Sequence, residues 1–299
     1  MTAVLGTSIS IGAAVSRAVL ISDLHLSPAD VRGPQASSVS RALDAAIEAA
    51  VELGSDGALF VLGDLFDSYV TKSQVRESIW RDVAERFRAA AARGLRVVLL
   101  VGNRDFLLGD EFARAARCEL LSGGCLVRLG GVATLLLHGD ELCQNDIPYQ
   151  RAKRWLRSRA VRLLARRLPL SLARRAAERA RRKSQSVVQS GDQTRFLPSE
   201  RAVAAAFAGT GARQLVFGHI HRLAAGEFAS GGVGQPVDQP GDQPGGSARY
   251  FVLPAFDQAG MGARADSAGI SACAFGAAVT ADAGSAEACA PPPPCPWSV

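Results

Sequence analysis

Apolar residues along this chain gather in short runs that stop abruptly at glycine or at a polar or charged residue. "RAVLIS" ends before Asp23, "GALFVL" before Gly63, "LRVVLLV" before Gly102, "VATLLL" before His138 and "QLVF" before Gly218. Runs of about four to seven such residues, bounded by turn formers, predict buried strands. Between them the period changes. Val39, Leu43, Ile47 and Val51 recur at every fourth position, as do Val75, Ile79, Val83 and Phe87 in "SQVRESIWRDVAERFRAAAARG", which closes on Gly94. That spacing predicts two amphipathic helices. Strands alternating with helices predict an α/β domain in which helices cover a sheet. Such sheets bind ligands in the loops beyond the carboxyl ends of their strands, and the polar clusters of this chain all fall there.

Three stretches depart from the alternation. Residues 147–190 carry Arg and Leu at helical spacing, divided by Pro169, and predict a two-helix insertion. Residues 226–247 contain a near repeat of "QPxDQPG" and cannot supply a core, which predicts a flexible loop before a further strand in "RYFVLPAF". Residues 259–299 are Ala, Gly and Ser ending in "PPPPCPWSV" and are expected to be disordered. Residues 1–17, with no basic residue before Arg17, match a signal peptide poorly and are expected to form an extension ahead of a domain spanning 18–258.

Composition narrows the class. No window approaches the roughly 20 uninterrupted apolar residues of a membrane-spanning helix, so a cytoplasmic protein is expected. Six cysteines without a CxxC pair argue against a zinc ribbon or a disulfide framework and for reduced thiols. The net charge of +6 is concentrated. Between Arg151 and Lys183 fourteen Lys or Arg face the single acid Glu178, a local +13, so the remaining chain carries −7.

The histidines carry the chemistry. The chain has 4, and all stand at strand ends, within "SDLHL" (Asp23, His25), "HGDELC" (His138, Asp140) and "GHIHR" (His219, His221). Two more strand ends supply "GDLFD" (Asp64, Asp67) and "GNRD" (Asn103, Arg104, Asp105). In extended chain, positions i and i+2 share a face, so each D-x-H or H-x-H pair is expected to point one way. Carboxylates, imidazoles and one amide, with no thiolate among them, suit Mn²⁺ or Fe²⁺ rather than structural zinc. Seven such groups are too many for one ion. Two ions about 3.5–4 Å apart, bridged by a carboxylate, would use them all and would stabilise both the attacking and leaving oxygens of a phosphoryl displacement. Asp64, central in the order, is the candidate bridge.

The order D-x-H, GD, GNRD, HGD, GHxH resembles the calcineurin-like metallophosphoesterases over residues 18 to about 255. "GNRDFLLG", "LLHGDELCQNDIPYQ" and the Arg-rich insertion are more narrowly similar to the UDP-2,3-diacylglucosamine pyrophosphohydrolase family of lipid A biosynthesis. The resemblance implies a four-layer αββα sandwich with a helical insertion cap. It implies two Mn²⁺ ions, one on Asp23, His25, Asp64 and His221, the other on Asp64, Asn103, His138 and His219. Arg104 would clamp the phosphates, unless it forms a structural salt bridge with a neighbour such as Asp105. Asn103, Arg104 and His138 would act in catalysis, while Asp146, Tyr149, Arg181, Ser184 and His219 would contact substrate. The implied reaction is attack by a metal-activated hydroxide on the uridine-side phosphorus, releasing UMP and 2,3-diacylglucosamine 1-phosphate. Where members of the family usually carry an aromatic–histidine or similar polar ending after the last core strand, this chain has "FVLPAFDQAG", without histidine.

Physics gives the insertion a purpose in that setting. Burial of acyl chains contributes about 0.8 kcal/mol per CH₂, and Trp155, Leu156, Val161, Leu163, Leu164, Leu168, Leu170 and Leu172 could line a chamber for them. Arginines of residues 151–183 would face the anionic inner membrane leaflet, at roughly 1 kcal/mol each. A packed helical hairpin with a solvated basic face is the plainer alternative. Other readings remain: a different metallophosphoesterase acting on nucleotides or nucleic acid, or a catalytically silent basic module. Against specific nucleic-acid binding, Trp155 is the single aromatic in the basic segment.

Overall fold

In the computed structural model, which describes residues 2–33, 36–71, 74, 76–167, 170–172, 175, 179, 196–228 and 247–276, the apolar runs become the inner strands of two sheets. The first has six strands in the order β13 (Gly269–Ala274), β12 (Met261–Asp266), β3 (Arg17–Ile21), β4 (Gly57–Leu62), β5 (Arg96–Leu100) and β6 (Glu119–Leu121). From β3 to β6 it is parallel; β12 runs antiparallel to its neighbours. The second has seven strands in the order β1 (Thr2–Val4), β2 (Thr7–Ile11), β7 (Gly124–Leu129), β8 (Val132–Leu136), β9 (Gln214–Phe217), β11 (Ala248–Val252) and β10 (Ala224–Phe228).

Side-chain alternation makes the layers. Along β4, Ala58, Phe60 and Leu62 enter the core between the sheets, meeting Val127, Leu136, Val216 and Phe251 of the opposite sheet. Leu59 and Val61 of the same strand face outward, onto Leu43 and Ile47 of α1 (Ser38–Val51), Ile79, Val83 and Phe87 of α2 (Ser78–Ala92) and Phe112 of α3 (Asp110–Ala116). On the far side, Leu135, Leu215 and Phe217 pack against Val203, Ala206 and Phe207 of the helix Glu200–Thr210. The result is helices, sheet, sheet, helix, the four-layer αββα sandwich. Strands buried on both faces lose the polar alternation of a half-exposed strand, which is why these runs are continuously apolar. Burying Phe60 or Leu62, both fully enclosed, contributes about 1.5–3 kcal/mol each. α1 starts where Ser37 accepts a hydrogen bond from the Ser40 amide. α2 begins three residues after Val75, which lies outside the described residues.

Two expected boundaries move. The segment before Arg17 is no extension: β1 and β2 form a hairpin, and Ile9, Ser10 and Ile11 pair in parallel with Gly124, Cys125 and Leu126. Residues 259–276 are not a disordered tail either. β12 and β13 extend the six-stranded sheet, with Ala263 and Ala265 in the inter-sheet core. Small side chains that read as low complexity in sequence are thus core residues here, Ala263 and Ala265 both being buried. Gly226–Phe228, assigned to the flexible loop, belong to β10, while 229–246 and 277–299 lie outside the described residues. The insertion contributes α4 (Ile147–Leu156) and α5 (Arg159–Arg167). Among the described residues no helix is long and apolar enough to cross a membrane. Cys118, Cys125, Cys143 and Cys273 are free.

Candidate metal centre

The loops after β3, β4, β5, β8 and β9 meet at one edge of the sandwich, because these strands end at the same level in the parallel registers. Backbone bonds lock the loops together: Asp23 N–H donates to Gly63 O (3.2 Å), His25 N–H to Asp64 O (3.0 Å) and Gly218 N–H to His138 O (2.8 Å). The side chains converge by a different route from the one strand alternation predicts. Asp23, His25, Asp64, His219 and His221 all have φ between 49° and 68°, in the left-handed region. Each such residue costs roughly 1–2 kcal/mol, and Asp and His tolerate it better than most. Strain of this kind concentrated at one edge marks a functional site.

Glycine permits the approach. A Cβ on Gly102 would collide with the carboxylate and amide of Asp64, and one on Gly218 with Ser22 Oγ and Asp23 Oδ2. The glycines of "GN" and "GH" are therefore set by close packing of loop on loop.

Two histidine pairs result. His25 and His221 stand with ring centroids 5.1 Å apart and their Nε2 atoms 3.3 Å from each other. His221 Nε2 is also 3.3 Å from Asp23 Oδ1. His138 and His219 pack edge to face at 5.0 Å. Asp64 lies between the pairs, Oδ2 4.0 Å from His25 Nδ1 and Oδ1 3.7 Å from His138 Nε2. His138 Nδ1 is 2.8 Å from Leu62 O, which can only accept, so Nδ1 carries a proton and Nε2 is the nitrogen that faces the site. The Asn103 amide lies 2.9 Å from that Nε2; turned with its NH₂ inward, it also reaches both Asp64 oxygens.

The electrostatics ask for cations. Asp23, Asp64 and Asp140 are fully buried around the cluster. Burial pushes the Asp64 carboxyl up to about 7, with the nearby Asp105 and Asp23 adding to it and His138 opposing. Burial pulls the His138 imidazole down, but the surrounding Asp64, Asp23, Asp140 and Glu141 outweigh it and raise it to about 9. Protons thus fill, at neutral pH, a charge deficit that cations would fill instead. Burial, with Arg104 adding to it, lowers His25 to about 3, and burial with His138 lowers His219 to about 4, so both are neutral imidazoles with lone pairs to offer. Asp23 is held well below the usual carboxylate range: burial raises it, and His221, His138 and the Ser22 hydroxyl together prevail. His25 Nδ1 is buried without a hydrogen-bond partner, and buried Asp23 Oδ1 has only the His221 ring nitrogen 3.3 Å away. Opposed imidazole nitrogens, an orphaned buried nitrogen and a central carboxylate fit a pair of divalent cations. Two overlapping clusters, Asp23–His25–His221 and Asp23–Asp64–His138, have ligand atoms close enough to hold one each.

Asp105 and Asp140, each two positions after a residue of the cluster, serve as ties. Asp105 accepts from the Gly102 and Leu65 amides at 2.7 and 2.8 Å, holding two ligand loops together. It does not pair with Arg104. That guanidinium reaches Asp67 at 2.8 Å and Asp64 at 3.4 Å and remains part-exposed beside the cluster. Asp140 anchors the insertion: its carboxylate meets Lys153 (2.9 Å), Arg157 (3.6 Å) and the Tyr149 hydroxyl (2.5 Å). Tyr149, expected at the substrate, thus has its hydroxyl engaged inside, and Asp146 caps α4 by accepting from the Tyr149 amide at 3.2 Å. Arg181, Ser184 and Leu168 lie outside the described residues. Trp155, Leu156, Leu163, Leu164 and Leu172, named above as a possible chamber lining, are exposed. Lys153, Arg157 and Asp257 escaped the sequence reading. Lys153, in the last turn of α4, and Arg157, its C-cap, are spaced by four, a signal lost among the neighbouring arginines.

A family model for calcineurin-like phosphoesterases matches residues 16–223, every strand-end motif included. The chain belongs to this family. Relatives of this phosphoesterase include the UDP-2,3-diacylglucosamine hydrolase of Nitrosococcus oceani, 40% identical over 58% of this chain and 70% of its own length. The protein of the same name from Pseudomonas aeruginosa strain UCBPP-PA14 is 32% identical over 84% of this chain and 95% of its own length, and that of Azotobacter vinelandii 39% over 70% and 83%.

Proposed function

We propose that this phosphoesterase hydrolyses the pyrophosphate of UDP-2,3-diacylglucosamine to UMP and 2,3-diacylglucosamine 1-phosphate in lipid A biosynthesis. The observation that carries this reading is the co-occurrence of a dinuclear-type cluster with relatives of that name aligned along most of the chain. Asp23, His25, Asp64 and His221 would hold one Mn²⁺, and Asp64, Asn103, His138 and His219 the other. When bound, such ions lower the pKa of water and neutralise charge on phosphoryl oxygens.

The chain's own groups do the rest. Arg104, fixed by Asp67 and backed by Asp64, presents the rest of its guanidinium to a phosphate at the mouth. The Leu62 carbonyl fixes the His138 tautomer, and buried Asp105 holds the Asn103 loop against the Asp64 loop. Asp146, Tyr149, Arg181 and Ser184 are assigned to substrate contacts through the insertion, residues 147–190. Its exposed leucines would take the acyl chains, and its basic stretch, 151–183, would rest on the cytoplasmic face of the inner membrane, making the enzyme peripheral.

The test is UMP release from UDP-2,3-diacylglucosamine by metal-stripped protein, with and without added Mn²⁺, alongside His219→Ala. Release that requires Mn²⁺ and is lost in the variant is expected. Release from simple phosphodiesters but none from the lipid nucleotide would overturn the substrate and leave the metal centre standing.

A further inference from the structure

Asp257 sits in the "FVLPAFDQAG" ending, outside every strand-end motif. β11 runs parallel to β9, with Val252 opposite Phe217, and the Leu253 amide donates to Phe217 O at 2.7 Å. The chain therefore leaves the seven-stranded sheet beside the loop carrying His219 and His221. It then crosses to the other sheet: the Phe256 amide donates to Ser22 O (3.1 Å) and the Asp257 amide to Asp23 O (3.4 Å). Phe256 anchors the turn by full burial, its ring 6.2 Å from that of Phe275. Asp257 is thus stapled between two loops that supply ligands to one cluster.

Its carboxylate has no local task. It is the second residue of the four-residue helix Phe256–Ala259, whose N-cap, Ala255, makes no side-chain cap, and its Oδ1 is buried without a hydrogen-bond partner. The charges that it feels are those of His221, Asp23, Arg104 and Asp67. Of the positive groups near it, Arg104 is paired with Asp64 and Asp67, and His221 lies 3.3 Å from Asp23. A buried carboxylate oxygen left without a partner weakens a fold, so its presence calls for a positive charge that arrives later.

Resting on the dinuclear reading above, we propose that Asp257 is an additional acidic residue of the metal centre, a positioning residue that strengthens cation binding at the Asp23–His25–His221 cluster.

Mn²⁺ titrations of metal-stripped wild type, Asp257→Asn and Asp257→Glu, followed by calorimetry and by the electron paramagnetic resonance of free Mn²⁺, test this, together with thermal melts of the metal-free proteins. Asp257→Asn is expected to weaken one of two sites by about 10- to 100-fold, to leave the other unchanged, and to melt without metal at the wild-type temperature or higher. Asp257→Glu, which keeps the charge, is expected to recover most of the affinity. Unchanged isotherms in Asp257→Asn beside a two-site wild type overturn the inference alone, as does a lowered metal-free melting temperature with intact binding, the mark of a merely structural role. A wild type that binds no Mn²⁺ overturns the dinuclear reading and this inference with it.

Discussion

The rim of the sandwich and the insertion above it solve opposite problems. At the rim, side chains are placed by backbone: five residues in left-handed conformation, glycines that let loops touch, and inter-loop amide bonds at about 3 Å. The charge there is mostly negative and buried. The insertion is positive, and its large apolar side chains face out, Trp155 and Leu164 each 66% exposed. It is tied down at its root by Lys153 and Arg157 on Asp140 and Glu141. Phosphoryl chemistry needs geometry held to a fraction of an ångström. Recognition of long flexible chains needs apolar area, which an attached element can supply without disturbing the metals.

The sharpest way to break this contrast is at the rim, without removing any ligand. Gly102→Ala forces a methyl group against the Asp64 carboxylate and amide. Turnover is expected to fall about a hundredfold or more, with Mn²⁺ affinity reduced, while circular dichroism shows the sandwich intact. Steady-state kinetics beside a Mn²⁺ titration checks it; wild-type turnover would mean that the loops are not held as tightly as the contacts state.

The root of the insertion is the next place to press. Asp140→Asn leaves Lys153 with Glu141 at 3.4 Å and Arg157 with a distant Glu141 at 3.9 Å. Breaking a buried ion pair is severe when nothing replaces it; with Glu141 remaining and Arg157 part-exposed, about 2 kcal/mol is the fitting scale. That is roughly a thirtyfold rise in local opening of α4, read as faster tryptic cleavage of the insertion before the sandwich is cut. Because Arg157 Nη2 also donates to Gly102 O at 3.1 Å, turnover should fall with it.

The same contrast explains what the sequence revealed. The inner strands and the seven cluster residues were legible because full burial writes continuous apolar runs and because ligand chemistry restricts the residue types at their ends. How the cluster residues converge was not legible: a D-x-H pair reads the same whether its backbone is extended or left-handed. β1, β2, β12 and β13 were missed because they are edge or near-edge strands built from Thr, Ser, Ala and Gly, whose weak apolar signal matches that of a tail. Asp257 was passed over because it stands outside every strand-end motif, in an ending whose polar residue only the fold brings to the cluster. Lys153 and Arg157 hid in a helix where nearly every polar residue is basic, and the partner that sets them apart, Asp140, is distinguished only by the fold.

The smallest effect should come from the insertion's outer face, and it separates the two regions most cleanly. Leu163 and Leu164 are 60% and 66% exposed on α5, while Ala165 of the same helix packs toward the core beneath α1 to α3. Replacing either leucine by serine therefore leaves the fold's contacts in place. If that face takes acyl chains, each replacement removes part of a burial contribution of about 1.5–3 kcal/mol, enough to raise KM for the diacylated substrate about tenfold with kcat nearly unchanged. Hydrolysis of a UDP-sugar analogue lacking both chains should be the same in wild type and variant, because the rim does not sense the change. Equal KM for the long-chain substrate would remove the acyl chains from this face, whereas a fall in kcat on both substrates would show that insertion and rim act as one unit.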